Sequence, residues 1–217
     1  MDRYLYENYL HILKEELIPA LGCTEPIAIA FTAAYARSVL GKMPEQVRVT
    51  CSGNIVKNVK GVTVPGSGGM KGIEAAAAMG LIAKDYTKKL EILDAITKED
   101  LRSVKRLLQR KIIRCELARQ VDNLYISVLA KSGDESGEVI VSGKHTQVVR
   151  IMKDNRLLWE NRESECEEEN EIGCDKSLLR LGDIFQFVRE VDTEDIAELL
   201  DRQISCNLSI AQEGLKT

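Results

Sequence analysis

The residues of this sequence best suited to chemistry stand together in Gly22-Cys23-Thr24-Glu25-Pro26. Gly22 can take a positive φ and end one helical pattern, Thr24 can cap the next, and Pro26 suits a first turn. Cys23 therefore falls just before a helix N-terminus. Backbone N–H groups aimed at a sulfur there bring a thiol from about 8.5 to roughly 3.5–7.5, making thiolate available as base or nucleophile. Glu25 opposes that shift if its carboxylate is close. A free cysteine at a helix junction also serves as a small buried hydrophobe, and the local residues leave both readings open.

A second candidate is "VTVPGSGGMKG" (62–72), a strand-like run feeding a glycine-rich turn and then a helix. With Gly66 and Gly68 shaping the turn and Lys71 adding charge, it has the ingredients of an anion site. Glycines that merely allow a tight turn and close packing explain it equally well. The spacing fits neither the dinucleotide fingerprint nor the P-loop. In "GNIVKN", Asn54, Lys57 and Asn58 fall at i, i+3 and i+4, hence on one face if the segment is helical. His145 in "SGKHTQVV" follows a glycine-containing turn, where it could act as an acid or anchor its loop.

Apolar spacing predicts a helix over 3–18, and a run rich in small residues, closed by Gly41, predicts another from about 25 to 40. A strand is expected at 45–52 and a short one at 62–65, then a helix from Ile73 built of very small side chains. That helix offers a surface that could receive a missing half of the protein or a second copy of the chain. Helices follow near 88–96 and 98–112. Alternating runs over 123–154 predict an antiparallel meander, and helices return at 181–191 and 193–209. The segment 160–171 carries Glu at seven of twelve positions and reads as a surface loop. The order implies an α+β fold, helices packed on a mostly antiparallel or mixed sheet.

The chain has 217 residues, 44% hydrophobic and 29% charged, with a net charge of −4. These totals lack the basic footprint of a nucleic-acid binder, and the Lys/Arg-rich run 105–114 fits the solvated face of a helix. The first residues carry charges throughout and lack an apolar core. No signal peptide or membrane span is expected, and the cytoplasm is the expected compartment. Six cysteines (Cys23, Cys51, Cys115, Cys166, Cys174, Cys206) are then expected as reduced thiols. Their wide spacing, with two histidines, His11 and His145, does not make a zinc site.

Four stretches, "PALGCTEPIAIAFTAA", "GNIVKNVKGVTVPGSGGMKGIEAAAAMG", "SGKHTQVVRI" and "SCNLSIAQEGL", occur together and in this order, from about residue 10 to 215. Together they resemble the L-cysteine desulfidase family, which is related to the iron–sulfur L-serine dehydratase alpha chain. Lys144 and Gln147 stand where that family has glycine and asparagine. Its members are considerably longer, so the resemblance covers an N-terminal half.

The resemblance implies β-elimination from L-cysteine to sulfide, ammonia and pyruvate without pyridoxal phosphate, assisted by a [4Fe–4S] cluster. The cluster's ligands would lie outside this chain, and none is expected bound here. It implies Cys23 as the proton acceptor. For the substrate carboxylate, Thr24, Glu25, Asn54, Lys57, Gly66, Gly68, Lys71 and His145 are the expected surroundings. The isolated chain is expected to be inactive without its missing half or a second subunit, and self-association is allowed. Elimination of water from L-serine is the alternative enzymatic reading; a non-catalytic module that pairs with a partner chain is the alternative of another class.

Overall fold

The computed structural model describes residues 1–18, 22–83, 85–161 and 174–216. The chain divides into two compact units, one spanning Ala20–Glu165 and the other joining Met1–Pro19 to Cys166–Thr217.

The larger unit lays helices on one six-stranded sheet. Helix α2 (Thr24–Leu40) leads into β1 (Gln46–Cys51), then α3 (Gly53–Val59), α4 (Ile73–Ile82) and α5 (Lys98–Gln109). Strands β2 (Ile113–Leu117), β3 (Tyr125–Ser132), β4 (Glu135–Ser142), β5 (Val148–Lys153) and β6 (Arg156–Glu160) follow. Their order across the sheet is β2-β1-β3-β4-β5-β6. Only β1 and β2 run parallel; the other neighbours are antiparallel. The α+β class and the meander expected from the sequence are what the chain forms.

At the centre lies α2, which is apolar nearly all round because it is covered on more than one side. Glycines let it come this close to its neighbours. A Cβ on Gly80 of α4 would stand 2.0 Å from the Ala30 carbonyl oxygen, and one on Gly137 of β4 would stand 2.6 Å from the Ala36 oxygen. Arg37 donates to the Leu81 carbonyl at 2.6 Å, satisfying the otherwise open end of α4. Gly41, at φ 85°, ends α2 in a left-handed cap. Ala75–Ala78 are buried in this packing. Their surface receives α2, and the expectation that it would receive another chain or half is corrected.

Four local readings also change. The periodic run 98–112 is helical only to Gln109; Lys111 turns the chain at φ 53°, and 113–117 becomes β2. Basic residues continued the helical rhythm past the true boundary, while the β-branched Ile112 and Ile113 favoured the sheet. The segment 62–65 contributes a single bridge, Thr63 to Lys71, in place of a strand. Residues 86–91 form a kinked 3-10 turn where a helix over 88–96 is expected. Glu160 closes β6, so the expected acidic loop does not begin there, and 162–171 lie outside the described residues.

The smaller unit contains α1 (Arg3–Glu16), α6 (Leu181–Glu190) and α7 (Thr193–Gly214). Its core is slight: Tyr9, Ile12 and Phe187 are buried, with the Phe187 ring 5.4 Å from Tyr9 and 5.5 Å from Tyr6. Buried Asn8 is satisfied by the Asp175 backbone, donating to its oxygen at 3.0 Å and accepting from its nitrogen at 2.8 Å.

Candidate functional site at the start of helix α2

The larger unit gathers four polar side chains around Cys23. Gly22 takes φ 89°, which a glycine accommodates without strain. Cys23 is then the N-cap residue of α2, with extended backbone and no side-chain cap bond. Its thiol donates instead to Oε2 of Glu25, at 3.0 Å. The other carboxylate oxygen, Oε1, accepts from Nδ2 of Asn58 at 3.1 Å. Thr24 Oγ1 lies 3.1 Å from Nε2 of His145 and donates weakly to Glu25 Oε2 at 3.4 Å. Cys23, Thr24, Glu25, Asn58 and His145 are all half-buried.

Cys23, Thr24 and Glu25 open α2, and Asn58 and His145 reach them from two further elements. Asn58 comes from α3, which Ser52 starts: its Oγ accepts from the Ile55 N–H at 3.4 Å and donates to the Asn123 carbonyl at 2.6 Å. The α3 N-cap is thereby tied to the loop before β3. His145 is carried by the turn between β4 and β5. Ser142 N–H donates to Gln147 O, and Gln147 N–H to Lys144 O, both at 3.1 Å. Ser142 Oγ donates to Asp122 at 2.6 Å, fixing the near side of the turn. Gly143 takes φ 78°, and a Cβ there would meet Gln147 Oε1 at 3.0 Å.

The electrostatics correct the simplest reading of the motif. Burial, followed by the hydrogen bond to Glu25, raises the Cys23 thiol above its ordinary value. Glu25 is held below the usual carboxylate range, first by the bond from Cys23 and further by its own backbone N–H, by Asn58 and by charge on His145. The helix N-terminus thus favours an anion, as expected, but the anion is the Glu25 carboxylate in its first turn. The resting pair is a neutral thiol donating to a carboxylate.

The remaining candidates fall elsewhere. Asn54 and Lys57 are exposed on α3, and Asn58 is the member of that polar face that reaches Glu25. Helical phase placed all three on one face, but which would meet the cysteine depended on how α3 docks.

Gly66 and Gly68 both take positive φ, near 70°, in a turn closed on its own groups. Ser67 Oγ donates to Met70 O at 3.1 Å, and Val64 N–H to the same oxygen at 2.9 Å. Lys71 is exposed, and the first turn of α4 already carries Glu74. The turn adjoins the Cys23 segment through Pro65, whose Cγ would lie 3.7 Å from a Cβ at Gly22.

The other cysteines do not converge on Cys23. Cys51 is buried in the core, where burial pushes its thiol up to about 12. Cys115 is exposed on the edge strand β2 and Cys206 on α7. Cys174 is half-buried in the smaller unit, and Cys166 lies outside the described residues. Among the described residues, no three of His, Cys, Asp and Glu come together as a metal site, so these side chains do not by themselves fit an iron–sulfur cluster. No helix among them is long and apolar enough to cross a membrane.

Comparison with known proteins finds relatives along almost the whole chain. A UPF0597 protein of Lachnoclostridium phytofermentans is 44% identical over 98% of the chain. One of Finegoldia magna is 43% identical over 96%, and one of Treponema denticola 36% identical over 100%. The chain spans about half the length of each of these relatives. No family model matches the chain, and no solved structure matches it.

Proposed function

We propose that this chain supplies the proton-handling part of a β-eliminating lyase that acts on L-cysteine in the cytoplasm without pyridoxal phosphate. The observation that carries the reading is the Cys23–Glu25 pair, a half-buried thiol bonded to a carboxylate that Asn58 holds from a separate helix. The resemblance of "GCTEP" and its companion blocks to cysteine desulfidases supplies the substrate. The cluster of such enzymes belongs, in this reading, to polypeptide beyond these residues.

Cys23 must lose its own proton before it can accept one, and Glu25 Oε2 is the acceptor within reach. The thiolate then takes the substrate's Cα proton. The electrons of that C–H bond form the Cα=Cβ double bond as the Cβ–S bond breaks and hydrosulfide leaves. Hydrosulfide takes the proton held by Glu25 and departs as hydrogen sulfide, restoring thiol and carboxylate. The aminoacrylate tautomerises to an imine and adds water, giving pyruvate and ammonia. Thr24, fixed by His145, borders the pair, while Lys71, Lys57, Asn54 and the turn at Gly66 and Gly68 are the proposed surroundings of the substrate carboxylate.

The test uses this chain joined to the rest of a full-length relative, purified without oxygen. Sulfide and pyruvate release from L-cysteine should exceed pyruvate release from L-serine. Cys23→Ser should remove a factor of about 100 or more, the scale of a positioned base. Faster turnover of L-serine would replace this reading with a dehydratase, and no turnover of either would replace it with a binding module. Unchanged sulfide production in Cys23→Ser would remove Cys23 from the chemistry.

A further inference from the structure

The smaller unit exposes apolar side chains in a pattern that soluble helices do not ordinarily leave open. On α6, Leu181, Ile184, Phe185 and Val188 recur at i, i+3, i+4 and i+7, a single face. Leu181, Phe185 and Val188 are 79%, 69% and 68% exposed. The opposite side of the same helix supplies Phe187 to the unit's core, so α6 has two apolar sides and uses one. Ile204 and Leu208 of α7 and Leu215 just past its end follow one stripe, each more than half exposed, and no residue of the helix is buried. Contiguous apolar faces of this kind mark a surface that another polypeptide covers.

We propose that the exposed faces of α6 and α7 are the docking surface for the second half of the polypeptide found in the relatives. Those proteins are about twice the length that this chain matches, so each holds, in fixed one-to-one supply, as much chain again. The inference rests on exposure and length alone and stands or falls independently of the elimination chemistry.

The deciding experiment compares amide hydrogen exchange in the 217-residue chain with exchange in the same chain joined to the unmatched half of the Lachnoclostridium relative. Amides of α6 and α7 should slow by about tenfold or more in the joined protein. Equal rates in both would overturn the proposal. In a second arm, Ile204→Asp with Leu208→Asp should leave the melting of the 217-residue chain unchanged and restore fast exchange to the joined protein. Glu198→Gln, off the stripe, should do neither. Unfolding of the 217-residue chain by the paired substitution would assign the stripe to this chain's own packing. A wild-type dimer that the same pair dissociates would assign it to a second copy. Either result overturns the proposal.

Discussion

Helices α2 and α7 are both long, yet they sit at opposite limits of burial. Of the 17 residues of α2, eleven are buried; of the 22 in α7, none is. Side-chain size explains much of the difference. The alanines of α2 and Gly80 of α4 let backbones approach until no room remains for a methyl group, so contacts form around the helix. Helix α7 carries longer apolar side chains on one stripe, with charged and polar residues between them. That pattern needs one partner surface rather than enclosure.

The sharpest way to break this contrast is to enlarge the contact on which α2 depends. Gly80→Val places carbon where the Ala30 backbone already stands, and neither backbone can yield as a flexible side chain would. The expected loss is about 3 kcal/mol or more, beyond the usual cost of overpacking, read as a fall in the urea midpoint. Gly137→Ala, with a 2.6 Å approach to α2, should act in the same direction. Equal stability in both variants would mean that the helix layer is looser than its geometry. Smaller is the effect of Arg37→Ala, which leaves the Leu81 carbonyl without its donor in a half-buried setting. A loss of about 1–3 kcal/mol is expected.

On α7 the corresponding substitutions should do almost nothing to the chain by itself. Ile204→Asp removes a side chain that is already 54% exposed, so the expected change lies within about 0.5 kcal/mol. A loss comparable to that of Gly80→Val would erase the distinction between the helices.

How far these features could be read from sequence follows the same division. The extent of α2 was legible from its run of small residues closed by Gly41, and the meander and the final helices from apolar spacing, all of them local properties. The strand β2 was not, because its parallel pairing with β1 is a long-range contact, Val47 to Ile113, and its sequence continues the rhythm of α5. Strand β6 was likewise hidden: "RLLWE" lacks alternation, and all but its last residue are exposed at the sheet edge.

At the site, the motif located Cys23 and Glu25 but not the direction of their hydrogen bond, which depends on burial and on Asn58 arriving from α3. The exposed Asn54 and Lys57 share that helix, and nothing local to "GNIVKN" distinguishes the residue that turns toward Glu25.

The smallest effect separates the thiols of the two helices. Cys23 donates to Glu25 and is raised by burial and by that bond, so it remains protonated across neutral pH; Cys206 is exposed on α7. Alkylation near pH 8, resolved by mass spectrometry, should therefore label Cys206 several-fold faster than Cys23. Glu25→Gln removes the negative acceptor and should narrow the gap by speeding Cys23. The pH dependence has opposite signs for the two partners. Because Glu25 is depressed in the folded state, its contribution to stability is present above the ordinary glutamate value and lost as acid carries the pH through its lowered one. Because Cys23 is raised, its contribution is present below the ordinary thiol value and lost as pH rises through the folded one. Asn58→Ala should move only the acidic limb, drawing the loss toward neutral pH. A shift confined to the alkaline limb would show that Asn58 acts on something other than the carboxylate.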